Sequence, residues 1–180
     1  MVYTYNECAE KYQNDYQIKK ALQEGLLKKL EPGIYSDREF EFESSIIAKK
    51  YPKAVFTMNS AFYYLGLTDT IPDKYYVATD KDAAKIRDRR IVQIFDNYKT
   101  LEMGMILHEA DGAEVRMYGY ERMLLELLRN KKRLPFDYYK EIILNYRRRI
   151  ESMDITLMQD MAEQMPKTDM ILETLQMEVL

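Results

Sequence analysis

The sequence predicts an α+β fold: a short helix–turn–helix–hairpin unit at the N-terminus, then a mixed sheet-and-helix domain ending in a helical bundle. Three observations predict it. Thr4 and Asn14 each stand three residues ahead of a Glu or Gln, at the start of short stretches with helical apolar spacing. Strand-like runs rich in Tyr, Val and Ile fill residues 74–118, with Asp111-Gly112 as a hairpin signal between the last two. From Tyr120 onward the apolar residues recur at helical spacing, interrupted by Pro135 and Pro166.

Within the N-terminal unit, Thr4 to Glu7 has capping-box spacing, so a helix is expected to about Tyr12, with Cys8, Ala9 and Tyr12 inward. A second helix is expected from Asp15 to Glu24. Its Ile18, Ala21 and Leu22 lie on one face, and Gly25 ends it. Leu26 to Glu31 reads as a strand, Pro32-Gly33 as a turn and Ile34-Tyr35 as a return strand. This is the element order of a winged helix-turn-helix, assigned to residues 1–36. The second helix then turns Tyr16, Gln17, Lys19, Lys20 and Gln23 outward, with Asn14 at its start. Such long polar side chains suit phosphates and base edges in a major groove. Lys28 and Lys29 fall on the hairpin, where a wing touches backbone. Residues 1–35 hold five basic and five acidic groups, so the unit is neutral. A docking or dimerisation element without sequence-specific DNA binding therefore stands as the alternative.

Residues 37–180 form the second expected domain, with strands to about residue 118 and helices over 120–180. A helical stretch to Lys50 stops at Tyr51-Pro52. Ala54–Thr57 reads as a short strand. Asn59 is expected to cap a helix closed by Gly66. Lys74–Thr79, Ile91–Phe95, Met103–His108 and Ala113–Tyr118 read as strands. The helices are expected over Glu121–Lys131, from Pro135 with Tyr138, Ile142, Ile143 and Tyr146 inward, over Asp154–Gln164, and over Asp169–Val179.

Composition narrows the class. Of 180 residues, 47% are hydrophobic and 32% charged, which excludes a disordered chain. The net charge of −3 conceals a gradient: residues 113–150 carry ten Lys/Arg against five Asp/Glu, and residues 151–180 one Lys against seven Asp/Glu. The acidic end either neutralises the basic stretch or leaves it exposed. Cys8 is the only cysteine, as expected in a reducing compartment. No leader-like start and no run approaching the ~18 apolar residues of a membrane span is present, so a soluble cytoplasmic protein is expected.

Three stretches carry a family resemblance: Leu30-Glu31-Pro32-Gly33-Ile34-Tyr35, Asn59-Ser60-Ala61-Phe62-Tyr63-Tyr64-Leu65-Gly66-Leu67-Thr68-Asp69, and Tyr120-Glu121-Arg122-Met123-Leu124-Leu125-Glu126-Leu127-Leu128-Arg129. In order and spacing they resemble the AbiEi-type antitoxins of type IV toxin–antitoxin systems, over nearly the whole chain. Pro32 replaces a usual basic residue, Met123 a Thr and Glu126 an Asp. The resemblance implies a winged helix-turn-helix joined to an antitoxin domain. It implies an autorepressor that binds inverted repeats in double-stranded operator DNA upstream of its own operon. It also implies opposition to a nucleotidyltransferase-like toxin, without a required stable complex. The nucleotidyl transfer belongs to that partner.

No phosphate loop, metal set or nucleophile–base pair is evident, so no catalytic or metal residue, no cofactor and no enzymatic activity are expected. His108, the only histidine, has just Glu109 and Asp111 near it. Cys8 reads as a small core residue. Glu121-Arg122 reads as an ion pair tying a helix start to the sheet, or as a site. Arg129, Lys131, Lys132 and Arg133 form one basic cluster and Arg147, Arg148 and Arg149 another. Each is a candidate for contacts to the DNA backbone or a solvated face. Six of twelve methionines follow residue 150, at spacing that favours core packing over a partner surface. The paired tyrosines read as amphipathic surface fillers. A homodimer is compatible with all of this.

Overall fold

The first helix begins at Thr4, whose hydroxyl accepts from the Glu7 amide while the Glu7 carboxylate accepts from the Thr4 amide. This reciprocal cap satisfies two of the donors that a helix start leaves open. The computed structural model describes residues 1–180 apart from the side chain of Tyr98. The chain is a mixed α+β protein divided into two units: residues 1–53 with 108–115, and residues 54–107 with 116–180. The first unit thus extends beyond residue 36.

The first unit contains β1 (Val2–Thr4), α1 (Tyr5–Tyr12), α2 (Asp15–Gln23), β2 (Lys28–Glu31), β3 (Ile34–Ser36) and α3 (Glu43–Lys50). Asn14 caps α2 through its side-chain oxygen, which accepts from the Gln17 amide. Gly25, at φ +73°, reverses the chain after α2, and the Leu26 and Leu27 amides return to the Ala21 carbonyl. That reversal drops Leu27 into a core of Cys8, Ile18, Ala21 and Tyr35, with Ala9, Tyr12 and Leu22 packed against it. The sheet order is β1-β3-β2, antiparallel throughout, with Tyr3 opposite Tyr35 and Tyr35 opposite Lys29. A register shift falls between Lys29 and Glu31, beside the Pro32-Gly33 turn. On α3, Ile46 closes a second cluster with Val2 and Ile34.

The second unit holds β4 (Val55–Phe56), α4 (Met58–Tyr64), β5 (Tyr75–Asp80), β6 (Ile91–Asp96) and α5 (Tyr98–Leu101). Then come β7 (Met105–Ala110) and β8 (Ala113–Tyr118), a hairpin whose tip, residues 108–115, counts with the first unit. Asp111 and Gly112 both lie at positive φ, the geometry of a two-residue hairpin turn. The helices α6 (Tyr120–Arg129), α7 (Phe136–Arg147), α8 (Ile155–Glu163) and α9 (Thr168–Glu178) complete the chain.

The five strands run in the order β6-β5-β4-β8-β7. β5 and β6 are parallel over six residues, from Tyr75 opposite Ile91 to Asp80 opposite Asp96. β4 is antiparallel to β5 and parallel to β8. α6 is the central helix: Met123, Leu124, Leu125, Leu127 and Leu128 are all fully buried, and α8 and α9 pack on it. Met158, Met161 and Met165 join this core, as their spacing predicts, while Met177 is exposed.

Two local expectations are corrected, and one strand was not anticipated. The N-cap position of α4 is Thr57, so Asn59 sits inside the helix and does not cap it. On α7 it is Tyr139, not Tyr138, that is buried with Ile142, Ile143 and Tyr146. Starting the helix at Phe136 sets which ring of the pair faces the core. β1 had no signal, because three residues are too few to show alternation.

Candidate nucleic-acid interface

On α2, Ile18 and Ala21 are buried, and Tyr16, Gln17, Lys19, Lys20 and Gln23 are exposed, Tyr16 by 73%. This follows from the 3.6-residue period: anchoring positions 18 and 21 leaves the opposite stripe in water. Lys20 lies 3.8 Å from Glu24, an exposed i,i+4 pair worth at most about 0.5 kcal/mol. A phosphate can displace such a partner. Lys28 is 3.6 Å from the almost fully exposed Glu39, an equally weak pair, and Lys29 is exposed. Asn14 is exposed but its side-chain oxygen is committed to the helix cap.

The same unit carries ion pairs that the sequence did not indicate. Lys11 donates to the Tyr3 hydroxyl at 2.8 Å and to Asp37 at 3.1 Å. Lys49 donates to Glu7 at 2.7 Å and Lys50 to Glu31 at 2.8 Å. The Met1 ammonium and then the Tyr3 hydroxyl, which both donate to Asp37, hold that carboxyl well below its ordinary range. The ion pairs among these are brought together by the tertiary fold across 19 to 42 residues, out of reach of any local pattern. The α2 stripe residues take no part in these pairs.

In the second unit the marked feature is a buried polar network on α6. Arg122 is fully buried. Its Nη2 donates to Asp96 at 2.7 Å and to Glu126 Oε1 at 2.8 Å, and its Nη1 donates to the Thr100 carbonyl at 3.0 Å. The guanidinium also stacks 4.6 Å from the centre of the Tyr118 ring. The partner of Arg122 is therefore not Glu121 but Asp96, at the end of β6, with Glu126 one turn along. Glu126 Oε2 accepts from Arg129 at 2.6 Å and from Asn130 at 3.2 Å. The Tyr118 hydroxyl donates to the Leu101 carbonyl and to Asp96, and burial pushes it well above its ordinary pKa against the pull of Arg122. Gly104 makes room for this arrangement: at φ +72°, a Cβ there would meet the Arg122 Cβ at 2.6 Å.

The network backs a cleft of about 670 Å³, lined among others by Asn59, Tyr76, Phe95, Asp96, Glu126, Arg129, Arg133 and Lys167. Arg129 thus belongs to a cleft wall. Lys132 and Arg133 are exposed. Lys131 pairs with the Glu178 carboxylate, which also accepts from Tyr139 at 2.7 Å, and Arg147 donates to the Glu178 carbonyl at 2.6 Å. The acidic end of the chain accordingly covers part of both basic clusters. Arg148 and Arg149 remain exposed, Arg149 with its guanidinium 5.0 Å from the centre of the Tyr120 ring.

Cys8 is fully buried, and that burial raises its thiol above the ordinary value. Among the described residues, no group of three or more His, Cys, Asp or Glu is placed to hold a metal ion, His108 included. No helix of the described residues is long and apolar enough to cross a membrane.

No protein-family model matches the chain, and no curated protein matches it.

Proposed function

We propose that the chain is a DNA-binding antitoxin and transcriptional autorepressor of a type IV toxin–antitoxin operon, opposing a nucleotidyltransferase-like toxin. The observation that carries this reading is the exposed stripe of Tyr16, Gln17, Lys19, Lys20 and Gln23 on α2. It stands in the order β1-α1-α2-β2-β3, with the sheet order β1-β3-β2. In this reading the first unit is a winged helix-turn-helix. α2 is its recognition helix, β2 and β3 are its wing, and Lys28 and Lys29 meet phosphate there. The resemblance of its three motifs to the AbiEi-type antitoxins supplies the operon context. The second unit carries antitoxin action and supports dimerisation, and Arg148 and Arg149 extend the phosphate contacts.

The test is fluorescence anisotropy with the duplex upstream of the gene, at two salt concentrations, against a scrambled duplex. Selective binding is expected, weakening with salt at a log–log slope of about −0.9 per phosphate neutralised. Replacing Gln17, Lys19 and Lys20 together by Ala removes no buried group, so the fold persists and operator binding is lost. Undiminished binding in that variant refutes the recognition helix.

A second reading, a protein-docking unit, is favoured by one observation: Tyr16 and Leu26 are large, apolar and mostly exposed within residues 1–35, where five basic and five acidic groups balance. Under it, Leu26→Asp disrupts self-association or toxin neutralisation, and the wild type shows no preference for the upstream duplex.

A further inference from the structure

We propose that the cleft of the second unit binds a nucleoside phosphate. The inference is independent of DNA binding by α2. Four cations border or back the cleft: Arg122, Arg129, Arg133 and Lys167. Two carboxylates, Asp96 and Glu126, answer them. Both are saturated by internal donors. Asp96 takes Arg122, Thr100 and the Asn97 amide, and Glu126 takes Arg122 on one oxygen and Arg129 with Asn130 on the other. The pairs Arg122–Asp96 and Arg129–Glu126 cancel, so Arg133 and Lys167 leave the wall with two uncompensated positive charges. A cleft with an excess of cations set in low-dielectric walls concentrates an anion.

Arg129 is the fixed element. One Nη donates to Glu126 at 2.6 Å, and the carboxylate that holds it is itself buried. The guanidinium is therefore pre-oriented, and a fork of five donors keeps further N–H groups for a phosphate. Preorganisation of this kind lowers the entropy lost on binding. The opposite chemistry is also present. Phe95 is half exposed at the lining, although a ring of that size normally buries itself, and Tyr76 lines the same space. An exposed ring beside cations fits a ligand with a planar base and an anionic group, the base stacking as it does on other aromatic platforms. The volume of about 670 Å³ lies within the range of small-ligand sites and holds a mononucleotide.

Isothermal titration of the full chain with ATP, GTP, CTP, UTP and inorganic phosphate tests this. At least one nucleotide is expected to bind, and more tightly than phosphate alone. Arg133→Ala and Lys167→Gln each remove an exposed charge and are expected to weaken it about tenfold, the scale of one charge-assisted hydrogen bond. Phe95→Ala is expected to reduce the preference for nucleotide over phosphate. The melting temperature of each free variant, compared with wild type, confirms that the fold is retained. The Gln17, Lys19 and Lys20 triple variant keeps nucleotide binding, whatever the outcome for DNA. No heat with any nucleotide at millimolar concentration overturns the proposal. So does phosphate binding as tightly as every nucleotide, or affinity that ignores Arg133 and Lys167.

Discussion

Arg122→Met is the sharpest test of the second unit's architecture. Methionine matches the length of the arginine stem and brings no charge. In the wild type, Arg122 is fully buried, and the side chains of Asp96 and Glu126 are 9% and 4% exposed. Removing the guanidinium leaves Asp96 Oδ2 with only the Tyr118 hydroxyl at 3.3 Å, and leaves Glu126 Oε1 without its donor. The other oxygen of each keeps its partners: the Asn97 amide and Thr100 for Asp96, Arg129 and Asn130 for Glu126. Breaking a buried pair by deleting one partner costs about 3–5 kcal/mol. At about 2–4 °C per kcal/mol for a chain of this size, the melting temperature should fall by on the order of 10 °C. Calorimetry or circular dichroism against temperature reads this directly. Adding Asp96→Asn and Glu126→Gln to Arg122→Met removes the stranded charges and should return part of the loss. A single Arg122→Met variant as stable as wild type, or a triple variant no better than the single one, refutes the claim that the carboxylates depend on this guanidinium.

Gly104→Ala should destabilise by about 2–4 kcal/mol, since a Cβ meets Arg122 at 2.6 Å from a left-handed backbone; chemical denaturation measures it. Asn14→Ala should cost about 1 kcal/mol through the lost α2 cap, seen as faster amide exchange in the first turn of α2. Burial raises the pKa of Glu7, but Lys49 and the Thr4 amide outweigh that and leave it below its ordinary value of 4.5. A depressed carboxyl stabilises the fold above its unfolded value and loses that contribution as pH falls through the folded one. Acid titration of α1 exchange rates should therefore show loosening below about pH 4.5, reduced in Glu7→Gln.

What could be read in the sequence was local. The Thr4 and Asn14 caps, the Asp111-Gly112 turn and the buried leucines of α6 each depend on residues within four positions of one another. The α2 stripe was legible for the same reason. What could not be read was pairing at a distance. β1 exists because Tyr3 lies opposite Tyr35, and nothing within three residues announces that. The parallel match of β5 with β6 is equally silent. Arg122 stood out, but its neighbour Glu121 drew the assignment, while the true partner, Asp96, is 26 residues upstream on another element. The cleft is assembled from six stretches of chain, so its charge balance exists only in three dimensions.

The two-residue strand β4 has a consequence for synthesis. One of its neighbours, β8, pairs with it at Phe56 opposite Met117, 61 residues later in the chain. Ser44 waits longer still, for Asp111, 67 residues on. During translation at about 5–20 residues per second, neither unit can complete its contacts until the hairpin has left the ribosome. For several seconds the nascent protein carries an unfinished sheet edge and a Ser44 hydroxyl still waiting for Asp111. A halt in translation before residue 118 would therefore release two incomplete units at once, not one finished unit and one stump.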